Sequence, residues 1–138
     1  MNAPQNRFLL TVSLSLWMIW GASGCSQPIP GPPRFELSGS AKFNGKPIPF
    51  GRILLEPDSS QGNTGPAAVA DIKNGRYQTR ADAGHIGGHF KVTIIGTDGT
   101  RPANPDVDNS LFLPFNTTVE LPRADGQHDF AVPRIGAQ

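Results

Sequence analysis

The chain has 138 residues, with 12 Lys+Arg against 11 Asp+Glu, one cysteine, 16 glycines and 14 prolines. Near-neutral charge without a basic run excludes the counterion-displacing surface that nucleic-acid binding requires, and a single cysteine excludes an internal disulfide. So much Gly and Pro excludes a helical bundle. The first predicted element is a leader. Arg7 precedes an apolar stretch over residues 8–20, and Gly21, Ala22, Ser23 and Gly24 follow it. A helix needs roughly 20 apolar residues to cross a bilayer. This shorter stretch fits the hydrophobic region of a signal peptide, with its positive flank and small residues at the cut. Small side chains are required there because a peptidase binds the backbone extended, and bulk would block its groove.

Ala22-Ser23-Gly24-Cys25 resembles the lipobox of bacterial lipoproteins. The resemblance implies that the Cys25 sulfur receives a diacylglycerol, that the bond between Gly24 and Cys25 is cut, and that the new amino terminus is acylated. Ala22 stands where the family usually has Leu. Ser26 stands where an Asp retains many lipoproteins in the inner membrane, so an outer membrane is favoured. The expected location is the bacterial cell envelope, with the remainder of the chain in the periplasm or on the cell surface. Several acyl chains hold firmly where one holds only marginally. Losing 24 of the 138 residues leaves 114, the size of one domain, and loses Arg7, leaving 11 basic against 11 acidic side chains.

Residues 25–33 are the predicted anchor and tether. Pro28, Pro30, Pro32 and Pro33 make it extended and semi-rigid. The domain is expected over residues 34–138. Phe35, Leu37, Gly39, Ala41 and Phe43 alternate with Glu36, Ser38, Ser40 and Lys42, which predicts a strand with one buried face. Asn44-Gly45 predicts a tight hairpin, because both residues tolerate positive φ. Pro47 and Pro49 predict an irregular segment, and residues 52–56 a second strand with Ile53 and Leu55 inward. After a polar loop, residues 67–72 and 76–79 predict a hairpin around Lys73-Asn74-Gly75, with Val69 and Tyr77 as core candidates. Residues 89–95 alternate again, with Phe90, Val92 and Ile94 inward. Residues 96–110 read as a long polar loop. A last pair is predicted between residues 117–121 and 128–132, offering Val119, Leu121, Phe130 and Val132 to the core. About seven short strands separated by turns predict an all-β, two-sheet sandwich.

The order of these pieces resembles the carboxypeptidase regulatory-like, transthyretin-like domain family. Its residues here are Asn44-Gly45-Lys46-Pro47 at the first turn, Asp71, Gly75, Arg76 and Tyr77 in the hairpin, and Gly88, Phe90 and Val92 in the late strand. The resemblance covers residues 35–95 and, loosely, the C-terminal strands. It implies a single seven-stranded Ig-like or prealbumin-like β-sandwich in a scaffold, adhesion or surface-interaction role. These motifs specify turns and core, so they carry fold rather than chemistry.

The groups that could carry chemistry are few. His85 and His89 have a spacing that would converge on a metal from a helix, but Gly84, Gly87 and Gly88 argue against a helix, so both are expected as exposed surface histidines. Asp98, Asp106, Asp108 and Asn109 offer hard oxygens for Ca²⁺ but lack the Gly and distal Glu of an EF-hand; solvated loop acids are the expectation. Asn116-Thr117-Thr118 matches a glycosylation sequon, which in a bacterial lipoprotein is coincidental. Ser38, Ser40, Ser59, Ser60 and Ser110 lack a nucleophile-elbow motif, and the C-terminus lacks the Tyr-Arg-Gly-Ser of transthyretin-like hydrolases. The expectation is therefore a lipid-anchored, non-catalytic envelope domain with no cofactor and no metal. Its partners would be the membrane, through Cys25, and an unidentified protein or glycan, with no nucleic acid. The alternative is a carbohydrate- or metal-binding module assisting a partner enzyme, with His85, His89 and the Asp106 and Asp108 loop as its exposed groups.

Overall fold

A computed structural model describes residues 31–101, 104 and 106–134. The leader, the predicted cleavage and lipidation site at Gly24 and Cys25, and most of the tether lie outside the described residues. Nine strands follow in chain order: β1 (Leu37–Phe43), β2 (Lys46–Pro47), β3 (Phe50–Pro57), β4 (Ala68–Lys73), β5 (Arg76–Gln78), β6 (Gly88–Thr97), β7 (Phe115–Leu121), β8 (Gly126–Gln127) and β9 (Phe130–Val132). One turn of 3-10 helix, Ser59–Gln61, follows β3. The described part is all-β, and the strand count exceeds the expected seven because β2 and β8 are only two residues each.

The strands form one curled sheet in the order β2-β1-β5-β4-β3-β6-β7. Neighbours along that path are antiparallel, whereas β8 and β9 run parallel to β1. The centre is the long pairing of β3 with β6, from Phe50 opposite Thr97 to Pro57 opposite Phe90. Period-two alternation places Ile53, Leu55, Phe90, Val92 and Ile94 on the enclosed face, and all five are buried. β1 is the seam of the curl. Its first half pairs with β5 and β8, and its second half with β9 and β2. Leu37 and Ala41 from β1 thus meet Tyr77, Phe130 and Val132 in the same core.

The two Asn-Gly turns behave as expected. Asn44 and Gly45 have φ of 50° and 78°, and Asn74 and Gly75 have 50° and 74°, the double left-handed geometry that a two-residue hairpin favours. The second turn also corrects the reading of β4. It sets Lys73 opposite Arg76 and Ile72 opposite Tyr77. Ile72, Ala70 and Ala68 therefore share the core face with Tyr77, and Val69 falls on the outer face, 44% exposed. The segment between Pro47 and Pro49 is irregular, as expected, but its Ile48 is fully buried.

The predicted terminal pair does not form. β7 pairs with β6, whereas β9 crosses to β1. Phe130 there stacks on Tyr77 at 5.6 Å between ring centroids, and the Tyr77 hydroxyl donates to the His128 carbonyl. Gly39 makes this docking possible: a Cβ at that position would overlap the His128 carbonyl oxygen. The His128 N–H meanwhile donates to the Ser38 carbonyl at 2.9 Å.

Candidate functional site

The two histidines expected to be exposed have different fates. His89 is partly exposed on β6, with its Nε2 3.8 Å from Glu120. His85 is 0% exposed. Its backbone N–H and carbonyl bridge to Phe35 at 2.9 and 2.8 Å. Its ring lies between those of Phe35 and Phe90, with centroids 5.8 and 6.2 Å away. Glycines at 84, 87 and 88 leave the chain free to fold this imidazole inward. Nδ1 accepts from the Gly87 N–H at 3.1 Å, so the neutral ring carries its proton on Nε2, a buried atom without a hydrogen-bond partner. Burial pushes the His85 pKa below the usual imidazole value, with Asp125 opposing weakly.

Two of the loop acids, Asp98 and Asp108, are occupied locally, and Asp106 contributes its N–H. Asp98 Oδ1 accepts from the Thr100 N–H at 2.8 Å and the Thr100 hydroxyl at 2.7 Å. Asp108 Oδ1 accepts from the Ser110 N–H at 2.9 Å, and Asn104 Oδ1 accepts from the Asp106 N–H at 3.0 Å. Each side chain caps its own turn. Those hydrogen bonds, led by the Thr100 and Ser110 hydroxyls, hold the Asp98 and Asp108 carboxyls below the usual carboxylate range. Among the described residues, no group of three or more His, Cys, Asp or Glu side chains is placed to hold a metal ion.

A concavity lies elsewhere, on the outward face of β1, β5 and β4. It is an open groove of about 1280 Å³. Strand alternation builds it: the side chains left over once Leu37, Ala41, Ile72 and Tyr77 face the core are Ser38, Ser40 and Lys42 on β1, Val69, Asp71 and Lys73 on β4, and Arg76 and Gln78 on β5. Arg52 reaches in from β3 and pairs with Asp71 at 3.0 Å. That pair is well exposed on both sides and adds little to stability. Asp129 at the rim accepts from the Ser40 N–H at 2.7 Å and its hydroxyl at 2.8 Å, which keeps its carboxyl below the ordinary value. The groove thus presents cations, amides and hydroxyls from rigid strands. Its residues are scattered from Ser38 to Asp129, and the motif residues among them, such as Asp71 and Arg76, read as hairpin and turn signals rather than as a site. The one available signal was the Asn74-Gly75 turn, whose register sets Lys73 against Arg76.

No family model, no curated protein and no solved structure matches the chain.

Proposed function

We propose that the chain is a lipid-anchored cell-envelope protein whose β domain is a non-catalytic interaction module of the transthyretin-like sandwich kind. The observation that carries the interaction role is the groove on the outward face of β1, β5 and β4, an open concavity of donors and positive charge on hydrogen-bonded strands. Sites built on strands hold their side chains more sharply than sites on loops. The basic, apolar and small-residue order of residues 7–24 before Cys25 supports the anchor. The sandwich reading is supported by the way β1 changes partners midway, from β5 and β8 to β9 and β2, which wraps the sheet over its core. The metal-carrying alternative draws no support from the two histidines, since His85 is in the core and His89 on the surface.

Two measurements test this. Cells fed an alkynyl fatty acid should label the wild-type chain and not Cys25→Ala, and equal labelling of both would overturn the anchor. Full-length protein in detergent micelles should be retained on washed, delipidated envelopes, and Arg76→Glu should reduce that retention. Equal retention of both proteins would overturn the groove as the interacting surface.

A further inference from the structure

We propose that this groove binds an extended acidic polysaccharide. The inference rests on the interaction reading above and names its ligand class. Three cations carry it. Lys73 stands directly opposite Arg76 across the β4–β5 hairpin, Arg76 stands opposite Ser40 on β1, and Lys42 lies two residues further along that strand. Like charges facing one another across a hairpin are destabilising. The four ion pairs among the described residues involve none of these three cations. Of the nearby acids, Asp71 is engaged with Arg52, and Asp129 with Ser40 and with the charge of Lys42, so Lys73 and Arg76 are the pair left facing each other. A local rule broken without compensation marks a site rather than a scaffold. A carboxylate seated between Lys73 and Arg76 would turn that repulsion into attraction, held by the forked guanidinium donors and the ammonium.

The neutral groups specify the rest of the ligand. Ser38 faces Gln78 on one side and Gln127 on the other, which makes a row of hydroxyl and amide groups beside the cations. Such groups both donate and accept, as sugar hydroxyls do. The groove is open and exceeds the roughly 300–1,000 Å³ typical of drug-sized pockets, so it suits a run of sugar units. Its only aromatic lining residue, Tyr77, is buried in the core, so it has no platform on which nucleobases or neutral sugar rings could stack. A peptide strand fits less well. The stretch of β4 without a neighbour on the groove side is only Ala68–Asp71, and Arg34 closes its near end by donating to the Ala67 and Gly84 carbonyls at 3.2 and 2.6 Å. That edge is shorter than the commonest strand length of about 5–6 residues.

The test uses the full-length chain in detergent micelles and immobilised polygalacturonate, with its methyl ester, polyglutamate and single-stranded DNA as competing probes. Polygalacturonate should bind, with affinity falling as salt rises from about 0.05 to 0.5 M. The uncharged methyl ester should not bind. Replacing both Lys73→Gln and Arg76→Gln should weaken binding at least about tenfold. Because that variant removes a repulsion, it should melt no lower than the wild type, which separates lost binding from lost fold. Arg123→Gln, beside Gly87 and not among the residues lining the groove, should bind as the wild type does. Equal binding of the methyl ester, polyglutamate or DNA would overturn the proposal, as would wild-type affinity in the double variant. If polygalacturonate fails while envelopes still retain the chain, the glycan assignment falls and the interaction reading stands; if both fail, both fall.

Discussion

His85 sets the acid limit of the fold. Its imidazole is buried against Phe35 and Phe90, and its one ring acceptor is occupied by the Gly87 N–H. Protonating Nδ1 would put a second donor against that N–H and leave a charge in the core. Burial depresses the folded-state pKa, so the unfolded chain takes up the proton first. Stability is therefore full above the unfolded histidine value of about 6.5 and declines as pH falls below it. The melting temperature should drop between about pH 6.5 and 5 in the wild type, and the drop should be shallower in His85→Gln, whose amide oxygen can still accept from Gly87. Parallel pH profiles for the two proteins would show that the ring is not the sensor. Asp129 acts in the same direction at lower pH. Its carboxylate is held by Ser40, so its contribution is present above the usual carboxylate value and fades as pH falls through its lowered one.

Among the elements, β1 carries the heaviest set of constraints, because it meets β2, β5, β8 and β9. Gly39 is the point where the returning chain passes closest, with the His128 carbonyl where a side chain would begin. Gly39→Val should cost at least about 2 kcal/mol in chemical denaturation, whereas Gly126→Ala, whose new methyl meets nothing within 4 Å, should change stability by less than about 1 kcal/mol. Similar losses in both would mean that the contact is soft. The same strand shows what sequence can reveal. Its own alternation was legible, as were both Asn-Gly turns and the inward set Phe90, Val92 and Ile94, because each is written within a few consecutive residues. Val69 lies outward rather than in the core because the Asn74-Gly75 turn sets its face by register. The β1–β9 pairing was not legible at all: Ala41 meets Phe130, which lies 89 positions further along the chain, and β9 alternates equally well toward any neighbour. Inward folding of His85 had no local mark either, since glycine-rich segments permit many paths. The groove shares that difficulty, being the outer side of three strands whose order only tertiary pairing decides.

At the scale of the whole molecule, the chain is closed by its own far end. Residues 126–132 lie beside β1 and cover Leu37, Ala41 and Tyr77. A chain ending at Leu121 would leave that apolar surface bare and should lose cooperative thermal unfolding altogether. A sharp melt in the truncated protein would show that β8 and β9 are ornament to a self-sufficient sheet. Closure also decides how the folded body can be observed. Both tryptophans, Trp17 and Trp20, precede Cys25, and Tyr77 is the single tyrosine. In a chain cut before Cys25, as proposed, that one phenol is the whole near-ultraviolet chromophore set apart from phenylalanine. It is packed on Phe130, and burial, aided by the Asp129 charge, raises its pKa far above the ordinary phenol value. Ultraviolet absorbance will thus give a poor measure of how much protein is in the tube, yet the alkaline appearance of phenolate will act as a clock for the opening of a single, identified seam.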